Sequence, residues 1–271
     1  MRRFYLGTHR LSWLPRTDVP LFVSAVQFRR RRTFPKAKGR RAFDSGGFME
    51  LRRHGRWTVG PRPYVGDIRR AVDGVGMPDF VAPQDWMCEP IILAETGKTI
   101  AEHQARTIES VVELRAIAPE VPWMPVLQGW ECDDYLDHIQ QYAVAGIDLA
   151  AEPIVGVGTI CKRQSSRKAA RIIRAIALHR IRIHAFGVKA DGIRLFGDWI
   201  ESADSMAWSY VARRRPILLG DDGSPPGPCA AAGKHKNCAN CLLWALEWRQ
   251  TRIVDQAPPP AQTELELAEA G

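Results

Sequence analysis

The chain has 271 residues, about 45% of them apolar, which is enough for one large domain with a sizeable core. Lysine and arginine outnumber aspartate and glutamate by 38 to 30, with an isoelectric point near 9.4, so a polyanionic partner is favoured, nucleic acid and a membrane surface being equally open on charge alone. A run of about 18 apolar residues is absent, which excludes a spanning helix, and six cysteines of which only the last three cluster are not a secreted disulfide framework.

The first twenty residues, MRRFYLGTHRLSWLPRTDVP, lack the unbroken apolar run of a signal peptide, because Arg10, Pro15, Arg16 and Asp18 interrupt it. A reducing, cytoplasmic setting is the expectation. PLFVSAV reads as a strand, and FRRRRTFPKAKGRR (28–41) after it carries Arg29, Arg30, Arg31, Arg32 and Lys36, a density suited either to phosphate contact or to a solvated loop. A second strand candidate leads into AFDSGGFMEL (42–51), where Asp44, Ser45 and Gly46 sit among apolar flanks. Two readings stand there: a turn in which Asp44 caps the backbone, or an acid held beside a glycine turn that lets backbone approach a ligand.

From 77 to 208 short apolar runs alternate with amphipathic segments. PDFVAP (78–83) reads as a buried strand that ends near Asp85, and 98–118 as a helix whose Thr99 and Glu102 form a capping box. WMPVLQG (123–129) is the next strand and holds Gln128 and Gly129; a helix over 134–146 follows, ended by Gly146. EPIVGVG (152–158) carries Gly156 and Gly158, a helix spans 166–179, RIHAFGV (182–188) carries Phe186 and Gly187, and SADSMAW (202–208) carries Asp204. This alternation predicts an α/β fold with a parallel sheet; it favours a closed (β/α)8 TIM-type barrel, and open doubly wound sheets alternate in the same way. Asp44, Asp85, Gln128, the 156–158 glycines, Gly187 and Asp204 each fall at or just past a strand's C-terminal end, where both architectures place their sites.

Three chemistries follow from residue type. Asp44, Asp85 and Asp204 on separate strand ends suit glycosidic chemistry, which uses one acid to attack or stabilise the sugar and another to manage protons. Gln128, the GVG backbone and Asp85 suit the edge of a planar heterocycle. Trp86, Trp130 and Trp208 could stack on bases, although core packing is the commoner role of tryptophan. Near the end, CAAAGKHKNCANC places Cys229, His235, Cys238 and Cys241 at ligand spacing, a complete tetrahedral set for structural Zn²⁺. Cys88, Cys132 and Cys161 read as packed small residues. Arg213 and Arg214 add charge after the last strand. The expected organisation is a barrel with its basic loop over 1–220, a zinc segment and helix over 221–252 packed on it, and a disordered Pro-rich, acidic tail over 253–271.

FDSGGF, VLQGW, GVGTICKR, HAFGVK and ADSMAWS, in that order, resemble the landmarks of the tRNA-guanine transglycosylase superfamily, and PQDWMCEP, HQARTI and HKNCANC are similar to segments of its short, phage-encoded DNA branch, whose members put 7-deazaguanine derivatives into DNA. The likeness runs from about residue 5 to 250. It implies a zinc-containing (β/α)8 barrel that exchanges guanine in DNA for a preQ0-type base, with tRNA as the alternative substrate and a non-catalytic zinc-containing accessory subunit as a third reading. It also implies roles: Asp204 as the nucleophile on C1′, Asp44 as the acid beside the base, Asp85 reading the ring N–H and amino edge, and Gln128 and Gly156 meeting the carbonyl side. The implied partners are DNA, a free 7-deazaguanine base and a second copy in a homodimer; no membrane is involved, and the setting is the host cytoplasm for a phage gene. The sequence departs from the tRNA enzymes in two places: His235 lies between the cysteines, and Asp204 lacks their DCVxPTR context.

Overall fold

The computed structural model describes residues 1–214 and 238–255. Seven parallel strands form one sheet: β1 (Arg3–Thr8), β2 (Leu21–Ser24), β3 (Arg41–Asp44), β4 (Val126–Leu127), β5 (Val155–Val157), β6 (Ile183–Ala185) and β7 (Ser202–Ser205). Their order is β3-β2-β1-β7-β6-β5-β4. The predicted strand at PDFVAP is realised as Val81 alone, bridged in parallel to Phe43 on one side and Trp123 on the other. Backbone bonds run along it, Ala82 N–H to Phe43 O at 2.8 Å and Met124 N–H to Val81 O at 2.9 Å, so the two ends of the curled sheet are joined through this segment.

The sheet separates two apolar layers by strand parity. Tyr5, Phe22, Ala42, Phe80, Met124 and Val126 pack together on the inside of the curl. Their neighbours Leu6, Val23, Phe43, Val81, Leu127, Val157, Ile183 and Ala203 join the larger core under the helices. Alternation is hard to see in sequence because both faces are buried, as parallel sheets require.

Helices cover the outside: α1 (Gly47–His54), α2 (Pro61–Val75), α3 (Pro90–Thr96), α4 (Ile100–Ile117), α5 (Cys132–Val144), α6 (Arg167–Leu178), α7 (Ala190–Phe196), α8 (Ala207–Arg214) and α9 (Leu242–Arg249). The predicted Thr99–Glu102 capping box opens α4, and Ser166 caps α6 by accepting from Ala169 N–H. The connections from β1 to β2 and from β2 to β3 carry only 3-10 turns, Leu11–Trp13 and Ala25–Gln27.

The helix α9 packs on α8, which in turn bonds to β1. Trp244 donates to Trp208 O at 3.2 Å, Ser209 Oγ to Ala239 O at 3.0 Å, and Trp208 in turn to Gly7 O at 2.9 Å. α9 runs on into a π-turn, Gln250–Val254, with Ile253 buried, and residues 256–271 of the expected tail lie outside the described residues. No helix among the described residues is long and apolar enough to cross a membrane.

Candidate active site

The parity that builds the inner layer also builds the site. Two residues beyond Tyr5, Phe22, Ala42, Val126, Gly156, His184 and Ser202 come Gly7, Ser24, Asp44, Gln128, Gly158, Phe186 and Asp204, and all seven line one cavity of about 530 Å³. Each strand thus fills the interior with one inward residue and presents the next inward residue at its C-terminal mouth. Asp85, Glu89, Met87, Thr159, Cys161 and Phe48 complete much of the wall.

The DSGG turn satisfies both of its sequence readings at once. Gly46 N–H donates to Asp44 Oδ2 at 3.0 Å, the local cap, and Gly46 adopts φ 79°, where a Cβ would also meet Val26 Cγ2 at 2.5 Å. Ser45 is buried below, donates from Oγ to Asp85 Oδ1 at 3.0 Å and accepts Gly47 N–H at 3.2 Å. The turn therefore aims Asp44 at the cavity and holds Asp85 in place from beneath.

Asp85 lies on a loop without regular structure, and α4 holds that loop. Thr107 Oγ1 accepts Trp86 N–H at 2.9 Å, Ser110 Oγ accepts Gln84 N–H at 3.1 Å, and His103 Nδ1 lies 2.7 Å from Met87 O. These residues, with Gln104, which donates to Gln128 O at 2.9 Å, are one face of a helix at helical spacing, which is why HQARTI is a motif at all.

The buried polar groups form a chain. Gln128 donates from Nε2 to Asp85 Oδ2 at 2.7 Å, and its Oε1 accepts from Thr159 Oγ1 at 2.6 Å. Thr159, a β-branched residue at φ 58°, also accepts Cys88 N–H at 3.0 Å and lies 3.3 Å from Glu89 Oε2. A side chain at 158 would collide with the Gln128 amide, whose Nε2 is 2.3 Å from the position of a Cβ, so glycine is required there.

Burial sets the protonation of the acids. Loss of water pushes the Asp44 carboxyl up to about 7, helped by the negative charges of Asp85 and Asp204 and opposed by Gly46 N–H and the Ser24 hydroxyl. Burial likewise pushes Asp85 up to about 6 against its bonds from Ser45 and Gln128, and raises Glu89. The Cys161 thiol, also at the cavity, is pushed up to about 11, the state of an unreactive thiol. Asp204 is 8% exposed and accepts Gly187 N–H on Oδ1 at 3.0 Å.

Most of the sequence-derived residues meet here: Asp44, Gly46, Asp85, Gln128, Gly158, Phe186, Gly187 and Asp204 line the cavity, with Ser45 directly beneath. Two do not. Gly156 lies one layer down, against the Phe186 ring and Met124, and Gly129 packs on Asp134 and Tyr135. The tryptophans take their packing role: Trp86 and Trp208 are buried, and Arg163 covers Trp130 at 4.3 Å, while the rings at the cavity are Phe22, Phe48 and Phe186. Glu89, Thr159, Ser24 and His184 were not found from sequence: Ser24 and His184 lie on strands whose inward face is hidden by burial of their neighbours, and Glu89 and Thr159 lie on loops, which have no periodic pattern.

The basic residues divide. Arg29 pairs with buried Glu50 at 2.5 Å and so holds the loop to α1, whereas Arg30, Arg31, Arg32 and Lys36 are exposed beyond the end of β2. Arg53 adds an exposed cation at the cavity rim. Of the last pair, Arg213 is exposed and Arg214 lies 3.9 Å over the Tyr210 ring. Of the four expected zinc ligands, Cys229 and His235 lie outside the described residues. Cys238 and Cys241 share one turn, closed by Cys241 N–H to Cys238 O at 3.1 Å, at the entry to α9, which fits one half of a zinc knuckle. Among the described residues alone, no group of three or more His, Cys, Asp or Glu side chains could hold a metal.

Residues 1–268 match the family model described as DpdA, DeoxyPurine in DNA protein A. No curated protein sequence matches the chain significantly.

Proposed function

The chain belongs to the DpdA family, DeoxyPurine in DNA protein A, a tRNA-guanine transglycosylase-like family of DNA guanine transglycosylases, and from this premise we propose that it exchanges guanine in DNA for a 7-deazaguanine base through a covalent aspartyl-glycosyl intermediate. The observation that carries the reading is convergence: Asp44, Asp85 and Asp204, from three separate parts of the chain, line one cavity of about 530 Å³, a volume suited to a flipped nucleoside. We read the curled sheet as the family's (β/α)8 barrel, with the Val81 segment as its eighth strand.

In this reading Asp204 attacks C1′ as the bond to guanine breaks. Guanine leaves poorly as an anion, so a proton must reach it, and Asp44, held near neutrality between its acid and base forms, supplies one. The incoming 7-deazaguanine gives its ring proton back to Asp44 and displaces Asp204, so no proton or glycosidic bond is gained or lost over the cycle. Two displacements retain configuration. Asp85 and Gln128 exchange their mutual hydrogen bond for bonds to the base edge. Arg30, Arg31, Arg32, Lys36 and Arg53 neutralise phosphates around the opened site. Cys229, His235, Cys238 and Cys241 would hold a structural Zn²⁺, which would tie α9 to the barrel.

Purified protein incubated with duplex DNA, with tRNA and with labelled guanine tests this. Exchange into DNA is expected, with none for Asp204→Ala; exchange confined to tRNA would move the substrate, and exchange by Asp204→Ala would remove the nucleophile.

A further inference from the structure

His184 is fully buried on β6, and its strand register sets it opposite Ser202 on β7, two residues before Asp204. Four rings enclose it: Tyr5, Phe22, Phe80 and Phe186, with centroids between 4.8 and 5.9 Å from its own. Nδ1 is 2.9 Å from Ser202 Oγ. Nε2 is 3.4 Å from Asp204 Oδ1, too poorly aligned to form a hydrogen bond, and it has no other partner.

An imidazole in an aromatic box with one nitrogen unpaired is a costly choice for packing, since phenylalanine would fill the same space without an orphaned polar atom. The orphan faces Asp204. In the tautomer in which Ser202 donates to Nδ1, the ring proton sits on Nε2, 3.4 Å from Oδ1, the same oxygen that Gly187 N–H holds. Gly187 N–H thus holds Oδ1 and His184 Nε2 lies near the same oxygen, so the two carboxylate oxygens have different surroundings.

Resting on the reading of Asp204 as nucleophile, we propose that His184 is a positioning residue that assigns the two carboxylate oxygens different tasks. Oδ2 bonds to C1′ while the electron pair of the C1′–guanine bond leaves with the base, which takes its proton from Asp44. Oδ1 becomes the carbonyl oxygen of the glycosyl ester, held by His184 Nε2–H and Gly187 N–H. In the second half-reaction the incoming base loses its ring proton to Asp44 and bonds to C1′, and the ester pair returns to the carboxylate, where the same two donors meet the developing charge. A donor that gains strength as the ester returns to carboxylate acts on the second half-reaction, and so on kcat rather than on KM where that step limits the rate.

His184→Phe, His184→Gln and Ser202→Ala test it, with Asp204→Asn as control. His184→Phe should keep the wild-type melting temperature and KM for DNA and lose about 10²-fold in kcat, the effect of removing one preorganised donor. His184→Gln, which keeps an N–H, should recover part of that loss, and Ser202→Ala should fall between. Wild-type kcat in His184→Phe, or equal losses in the Phe and Gln variants, would overturn the role. If His184→Phe does not fold, wild-type kcat in Ser202→Ala overturns it instead. An inactive Asp204→Asn beside a fully active His184→Phe removes this proposal alone, whereas base exchange by Asp204→Asn removes the nucleophile beneath it.

Discussion

Gln128 Nε2 donates to Asp85 Oδ2 at 2.7 Å, so the two groups proposed to read a heterocycle's edge satisfy each other. The pair is buried, with Asp85 at 4% exposure and Gln128 at 0%, and its stability depends on one partner being a donor. Replacing Gln128 by Glu removes the donor and sets two carboxyls together where both cannot ionise. Gln128→Glu should therefore melt several degrees below wild type at pH 8 and recover toward pH 4, as the shared site gains a proton. Melting curves across pH measure this, and a variant equally stable at both ends would mean that the pair opens to water.

Asp44 gives a second pH-dependent outcome. Its folded carboxyl titrates near 7 and Asp85 near 6, both above the 3.8 of an unperturbed aspartate. A raised carboxyl binds its proton more tightly in the folded chain, so the stability it contributes is full below about 4 and is lost as pH rises through about 7. Asp44→Asn, which cannot ionise, should raise the melting temperature at pH 8 and match wild type at pH 4. In the proposed chemistry the same variant loses guanine release, and wild-type release should decline above pH 7 as the acid form disappears. A stabilised, inactive Asp44→Asn is the signature of a residue kept for reaction rather than for folding.

Much of this site was legible in the chain before any coordinates. Asp44, Gln128 and Asp204 stand at or just past the ends of β3, β4 and β7, and Asp85 on the loop after the Val81 bridge; the caps of α4 and α6 delimit the strands between them. What stayed hidden has a common cause. β1 carries both a charged start and an apolar run, and it lies inside the sheet between β2 and β7, where burial on both faces erases alternation. His184 sits in IHA, a strand with every residue buried, so nothing in the sequence separates its inward face from its outward one. Gly156 was displaced by one layer for the same reason: parity, not proximity in sequence to Gly158, decides which glycine reaches the cavity.

Thr159 ties Gln128 to the loop that carries Asp85. Its hydroxyl donates to Gln128 Oε1 at 2.6 Å and accepts Cys88 N–H at 3.0 Å, both in buried surroundings. Thr159→Val keeps the shape and leaves a buried acceptor and a buried donor unpaired, which should cost about 1–3 kcal/mol per group. Thr159→Ser keeps the hydroxyl and should stay close to wild type. Urea unfolding of the two variants measures the difference, and equal stabilities would show that water replaces the hydroxyl.

The proposed zinc site predicts a coupling between metal and cavity. Cys238 and Cys241 share the turn that opens α9, and α9 reaches the sheet through Trp244, Trp208 and Gly7, the last of which lines the cavity. If Cys229 and His235 complete a tetrahedral set, the metal fixes the position of α9, and its loss frees Trp244 and loosens the hold on β1. Elemental analysis should find one zinc per chain, and Cys238→Ser should lower that content. A strong chelator should lower the melting temperature and shift tryptophan emission to longer wavelength, because Trp208, Trp244 and Trp248 are buried at this contact. Both effects should reverse when Zn²⁺ is restored, whereas Mg²⁺, which prefers oxygen ligands, should not restore them. Purified chain without zinc that melts at the same temperature before and after chelation would show that apolar packing alone holds α9.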